Sequence, residues 1–322
     1  MHRLEPATRP TFYFIGVTTA KSSIMTVFPA WAEALGLGDV EIKGIDFPLD
    51  ADAASYREAV AFIKADRLSR GALVTTHKLN LFAACRDLFD RIDPLAALMR
   101  ETSCLSKRGD DLVAHAKDPI SAGLAVDGFL GANYFARTGA DVLCMGAGGS
   151  GIAITWHLMR RERGADAPAR IIATDRSAKS LAELERIHRE TPSDCALKYV
   201  LVSDAGTNDA LLGTLTPGSL VINATGLGKD APGSPLSEAA RFPENSVVWE
   251  LNYRGDLVLL DQARRQSAER RLTLVDGWSY FLHGWTRVIS EVFEVDIATA
   301  GPGFERLSEI ARTTARHEPP RR

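Results

Sequence analysis

Short apolar runs alternate with segments of helical periodicity along most of this chain. Residues 12–17, 40–45 and 72–74 each read as a strand, and residues 26–37 and 55–66 between them carry apolar positions at helical spacing, such as Tyr56, Val60 and Ile63. This rhythm predicts a largely parallel sheet covered by helices. Residues 79–100 read as a helix interrupted at Pro94, and residues 102–107 and 112–116 as a hairpin turning at Arg108-Gly109-Asp110.

After Asp118-Pro119 a helix is expected to lead into a second alternating unit. Strands are predicted at 141–145, 171–174, 199–202, 220–223 and 247–251, with a helix at 152–160 after a glycine run, which is the pattern of a doubly wound sheet. Residues 277–297 are helical by pattern, with Phe281, Trp285, Val288 and Val292 on one stripe. Residues 312–322 are polar, contain Pro319-Pro320 and are expected to form a disordered tail.

Composition narrows the class. The 322 residues, 45% hydrophobic and 25% charged, match two globular domains of ordinary size. A net charge of −3 gives no general electrostatic reason to bind nucleic acid or an anionic membrane. Without an apolar signal core near Met1 or a run of ~18 apolar residues, the expectation is a cytoplasmic protein. Cys85, Cys104, Cys144 and Cys195 form no Cys-x-x-Cys pair and are expected to be small core residues. His77 and His283 have no second ligand at a metal-binding spacing, so no metal is assigned.

The strongest chemical signal is Gly146-Ala147-Gly148-Gly149-Ser150-Gly151, a G-x-G-x-x-G run directly after an apolar strand and opening a helix. In that setting the glycines permit a tight turn, approach of backbone N–H groups to a pyrophosphate, and close helix–strand contact. The next strand ends at Thr174-Asp175-Arg176-Ser177. Asp175 suits a ribose 2′-hydroxyl, whereas Arg176, Ser177 and Lys179 suit a 2′-phosphate. Two cations and a hydroxyl against one acid tip the balance towards NADP, with NAD the alternative.

The order of motifs over residues 12–300 resembles the shikimate dehydrogenase family, including its quinate-using relatives. Gly71-Ala72-Leu73-Val74-Thr75-Thr76-His77-Lys78 is similar to the family's G-x-N-V-T-x-P-x-K, one residue shorter and without the proline, and puts Lys78 on the catalytic lysine. Leu112 to Asp118 stands where the family has G-x-N-T-D, which puts Asp118 on the catalytic aspartate. Asn223-Ala224-Thr225-Gly226-Leu227-Gly228 resembles N-A-T-S-x-G beside the nicotinamide, and Glu250-x-x-Tyr253 resembles D-x-x-Y, whose tyrosine touches substrate.

The resemblance implies a substrate-binding catalytic domain at 1–118, an NAD(P)-binding Rossmann domain at 119–275, and a C-terminal helical segment at 276–311 returning to the first domain. The departures fall on the substrate side. The family's paired serines align with Ser22 and Ile24, the asparagine of A-V-N-T with Ser103, the two residues before the aspartate with Ala116 and Lys117, and a C-terminal glutamine with Gly284. A site that loses groups meant for hydroxyls loses its selectivity for them. Ser22, Ser103 and Tyr253 remain as substrate contacts, and Trp278, Tyr280, Phe281 and Trp285 either line the pocket or belong to the core.

Hydride transfer to a ketone develops negative charge on its oxygen, which the Lys78 ammonium can stabilise and protonate, with Asp118 orienting it. Asp118 also suits the N-cap of a helix with proline first, a compatible role. The function expected is an NAD(P)-dependent dehydrogenase acting on a small, cyclic hydroxy or keto acid, as monomer or homodimer, with altered specificity. The alternative is a non-catalytic NAD(P)-binding sensor on the same fold, against which retention of both Lys78 and Asp118 speaks.

Overall fold

The apolar run Thr11–Gly16 is buried at all six positions and forms strand β1, as befits a strand covered on both faces. The structure, a computed structural model, describes residues 4–228 and 231–317. Strand β1 lies parallel between β2 (Glu41–Asp46) and β3 (Ser69–Val74), with the helices Ile24–Ala34 and Ala53–Ala65 as crossovers. Asp52 caps the second helix by accepting the Ser55 N–H at 2.7 Å.

Residues 79–100 do not form the expected single interrupted helix. The helix Lys78–Cys85 gives way to a 3₁₀ turn, Arg86–Leu88, and then to a two-residue strand β4, Arg91–Ile92, which pairs in parallel with the strand Asp111–His115. Two interactions at its ends explain this. Asp90 accepts the Leu112 N–H at 2.7 Å, and Asp93, held out of the helical region by the following proline, caps the new helix Pro94–Met99 through Ala96 N. Strands β5 (Cys104–Arg108) and β6 (Asp111–His115) form the expected hairpin, closed by Gly109 at φ 64°. The sheet order is β2-β1-β3-β5-β6-β4. Gly71 is required where β3 meets β5, because a Cβ there would lie 2.1 Å from the Leu105 carbonyl oxygen.

Residues 4–118 and 282–317 make one compact unit, and the remaining described residues, 119–281, the other. In the first unit Trp285 packs edge-on against Phe14, ring centroids 4.9 Å apart, and Trp31 Nε1 donates to the Leu307 carbonyl at 2.8 Å. The latter contact explains a second correction. Residues 312–315 are not tail but the last turn of the helix Gly301–Ala315, whose Leu307 and Ala311 are buried; residues 318–322 lie outside the described residues.

The second unit contains β7 (Val142–Met145), β8 (Arg170–Asp175), β9 (Ala196–Leu201), β10 (Leu220–Asn223), β11 (Val247–Glu250) and β12 (Thr273–Val275). All pair in parallel, in the order β12-β11-β10-β7-β8-β9. Counted from β7 this is the 3-2-1-4-5-6 order of a doubly wound sheet, reversing between β7 and β10. Val142 and Cys144 enter one apolar core while Leu143 and Met145 enter the other, so a continuous apolar run is what the strand requires. Among the described residues no helix is long and apolar enough to cross a membrane.

Candidate functional site

In the second unit the glycine loop leaves β7 at the reversal of strand order. Gly146 has φ 110°, and a Cβ there would meet the Ala224 backbone at 2.5 Å; a Cβ on Gly151 would lie 2.0 Å from the Gly146 carbonyl oxygen. Those two glycines are demanded by the fold. Gly148 is different: its φ of −77° is ordinary and a Cβ would meet nothing within 4 Å. It caps the helix Gly149–Met159 with no side-chain hydrogen bond, so the first N–H groups of that helix, at Gly149 and Ser150, are available to an anion.

A pocket of about 430 Å³ adjoins the loop, lined by Gly148, Asp175, Arg176, Ser180, Asp204 and Thr225 among others. Asp175 is tied to the loop itself, accepting from Ala147 N and Ser177 N, both at 2.7 Å. The Ser177 hydroxyl caps the helix Ala178–Arg189 by accepting from Ser180 N at 3.2 Å, and Lys179 is an exposed residue of its first turn. Arg176 is thus the cation on the pocket wall, with Ser180 beside it. Asp204, which the sequence reading passed over, adds a second acid and caps the helix Ala205–Leu212.

The 223–228 loop is held by a buried polar network. Glu250, fully buried, accepts from Asn223 Nδ2 at 2.6 Å and from Asn252 Nδ2 at 2.7 Å, and both amides also donate to the Leu227 carbonyl. Asn223 Oδ1 in turn accepts from the Thr225 hydroxyl at 2.6 Å. Ala224 and Thr225 line the pocket, and Gly226 takes φ 79° to turn the loop. These hydrogen bonds hold the loop in place.

In the first unit the chain leaves β3 through Thr75 and a left-handed Thr76, φ 36°, a costly conformation for a β-branched residue. His77 is buried, and since the Phe47 carbonyl can only accept, His77 Nε2–H donates to it at 3.2 Å while Nδ1 accepts from the Tyr56 hydroxyl at 2.8 Å. Burial pushes this imidazole below its usual pKa, with the Phe47 carbonyl opposing. A neutral, fully bonded His77 is an anchor for the strained turn.

That turn presents Lys78 as the first residue of its helix, where its ammonium donates to Asp118 Oδ2. Asp118 opens the helix Asp118–Leu130 with Pro119 next, the position where a carboxylate is favoured by the free N–H groups. Only 17% of the Lys78 side chain and 10% of that of Asp118 are exposed. Burial is the largest influence on Lys78 and pushes it down, but the charges of Asp118 and Glu101 outweigh it and hold the ammonium above its ordinary pKa. Glu101 was not singled out in the sequence. It is 3% exposed, and burial, reinforced by Asp118 and opposed by Lys78, pushes its carboxyl up to about 8.

The three substrate candidates differ in their surroundings. Ser22 is partly exposed at the end of a 3₁₀ turn. Ser103 is buried, its hydroxyl accepting the Lys117 N–H at 2.7 Å, which fixes the chain just before Asp118. Tyr253 packs against Trp278 and Phe281, centroids 5.4 and 4.8 Å away, and Tyr280 donates to the Ser150 hydroxyl at 3.3 Å. Trp285 belongs to the core. Lys117, at the family's threonine position, pairs with Glu291 at 2.7 Å.

No family model matches the chain, and no curated protein matches it by sequence. Solved structures do match over nearly the whole length. The chain has a TM-score of 0.69 and 18% identity to a shikimate 5-dehydrogenase from Listeria monocytogenes in complex with shikimate and NAD, covering 96% of this chain and 98% of that one. A shikimate 5-dehydrogenase from Thermus thermophilus in complex with NADP(H) and shikimate gives 0.65 and 21%, covering 94% and 99%. For the ligand-free 5-ketofructose reductase of a Gluconobacter strain the values are 0.65 and 18%, covering 95% and 98%. The fold is an α/β fold whose second unit is a doubly wound sheet. More particularly, it is the fold of the shikimate and quinate dehydrogenases.

Proposed function

We propose that this protein is an NAD(P)-dependent oxidoreductase acting at a CH–OH carbon of a small, cyclic hydroxy or keto acid, with a specificity different from that of the shikimate enzymes. The observation that carries the reading is the largely buried Lys78–Asp118 pair in a chain that also has a complete glycine loop. The residues fit a dinucleotide: the uncapped helix start at Gly148 suits a pyrophosphate, the wall at Asp175 and Arg176 a ribose, and the Asn223–Gly228 loop the nicotinamide. When bound, the nicotinamide supplies or accepts the hydride. Lys78 Nζ gives its proton to the developing alkoxide in reduction and recovers it in oxidation, while Asp118 keeps the ammonium oriented and charged.

The shikimate and quinate dehydrogenases and the ketofructose reductase that share the fold support the class of reaction. The substituted positions support the altered specificity: Ile24 is fully buried, Ser103 is committed to the Lys117 backbone, and Gly284 leaves open space where a side chain would stand. The test is a panel of shikimate, quinate and their amino and methylated analogues, followed by nicotinamide absorbance with NAD and with NADP. Turnover of one member supports the reading; nucleotide binding without turnover of any member supports a sensor instead.

A further inference from the structure

The helix Pro94–Met99 ends at Arg100 in the left-handed conformation, φ 50°, and the chain then turns Glu101 into the protein interior. Thr102 N donates to the Lys78 carbonyl at 3.3 Å, so this segment runs alongside the start of the Lys78 helix. Glu101 Oε1 has no hydrogen-bond partner among the described residues. The charged groups that act on it are Lys78, on the helix Lys78–Cys85, and Asp118, at the start of the helix Asp118–Leu130.

One ammonium and two carboxylates in a buried site carry an uncompensated negative charge, which a protein interior tolerates poorly. Two carboxylates sharing one site resolve this by keeping a proton on one of them. Asp118 already accepts from the Lys78 ammonium, and Glu101 has the unpaired oxygen. The proton therefore belongs on Glu101.

We propose that Glu101 is a positioning residue that sets the charge state of the Lys78–Asp118 pair, leaving the pair neutral while it holds its proton and restraining the Lys78 proton once it is ionised. This rests on the reading of Lys78 and Asp118 as the acid/base pair. A neutral Glu101 leaves Lys78 facing one carboxylate, so its proton is available to an alkoxide; an ionised Glu101 adds a second negative charge and holds that proton back. The elevated carboxyl of Glu101 agrees with this assignment. The pair thus acquires a dependence on pH through Glu101.

The test needs no substrate. With side-chain carboxyl ¹³C-labelled glutamate, NMR titration of the full chain is expected to show one glutamate titrating far above the rest and missing from Glu101→Gln. Competitive acetylation is expected to show Lys78 titrating about one pH unit lower in Glu101→Gln, the lower end of what a neighbouring carboxylate does. If Glu101→Gln fails to fold, Lys78→Met provides the second arm: removing the ammonium should move the Glu101 titration upward by a similar amount. Titration of Glu101 with the ordinary glutamates, or a Lys78 midpoint the same in both proteins, would overturn the proposal. Neither result bears on whether nicotinamide turnover occurs, so failure of the dehydrogenase reading would be seen separately.

Discussion

Asp175 Oδ2 accepts the Ala147 N–H at 2.7 Å, so the acid that would select the cofactor also holds the glycine loop in shape. Asp175→Asn would turn an amide donor towards an N–H or leave one unpaired, and it should weaken NAD and NADP alike. Arg176→Ala is the cleaner test of cofactor choice. It should weaken NADP by about 10-fold, roughly the worth of one charge-assisted hydrogen bond, and leave NAD nearly unchanged. Calorimetry with both nucleotides decides this, and equal loss for both would mean that Arg176 does not read a 2′-phosphate.

The glycines of the loop should separate into two kinds. Gly148→Val meets no protein atom at its Cβ, so it should fold normally while losing dinucleotide binding. Gly146→Ala should instead lose stability, by roughly 1–3 kcal/mol, because its Cβ at φ 110° strikes the Ala224 backbone. Thermal unfolding beside calorimetry distinguishes the two, and a Gly148→Val protein that binds nucleotide as tightly as wild type would remove the phosphate role.

Lys78 and Asp118 should behave as one unit. With whichever substrate the panel identifies, Lys78→Ala should lower turnover by ~10²–10⁴-fold with nucleotide affinity intact. Asp118→Asn should do comparable damage, and the double variant little more than either alone. Additive losses in steady-state kinetics would argue against a dyad.

Shikimate itself should be a poor substrate. Each lost hydrogen bond costs roughly 0.5–3 kcal/mol, so two lost bonds together reduce kcat/KM by between about 5-fold and about 10⁴-fold. Gly284→Gln should raise activity on shikimate, since the space beside Gly284 is open. Ile24→Ser should not help, because Ile24 is fully buried and its removal costs core packing. A wild-type kcat/KM on shikimate above ~10⁵ M⁻¹s⁻¹ would refute the altered specificity.

Glu101 also has a consequence for stability. Its carboxyl is raised from 4.5 to about 8 in the folded protein, so the folded state holds a proton that the unfolded chain releases. The stability this confers is complete below pH 4.5 and is lost as the pH rises through 8. Urea unfolding across that window should show wild type losing up to ~1.4 kcal/mol per pH unit relative to Glu101→Gln. A difference independent of pH would mean that Glu101 does not titrate there.

Local pattern was enough for most of the fold. Parallel strands buried on both faces demand continuous apolar runs, which is why 12–17, 141–145 and 220–223 were visible as strands, and the alternation of strand with helix fixes a doubly wound topology. The glycine loop was legible because its requirements are backbone requirements, met by glycine alone at Gly146 and Gly151. Lys78 and Asp118 were singled out by motif order, not by periodicity. What the sequence could not carry is contact between residues far apart in the chain. Strand β4 exists because Asp90 finds Leu112 across the sheet, and the last helix continues past Arg312 because Leu307 finds Trp31. The Asp175 link to Ala147 and the choice of Ser103 for a backbone N–H are decided by side-chain direction after folding. Glu101 is the clearest case: nothing near it in sequence marks it, and only the packing of three chain segments brings its carboxyl under the field of Lys78 and Asp118, where burial alters its chemistry.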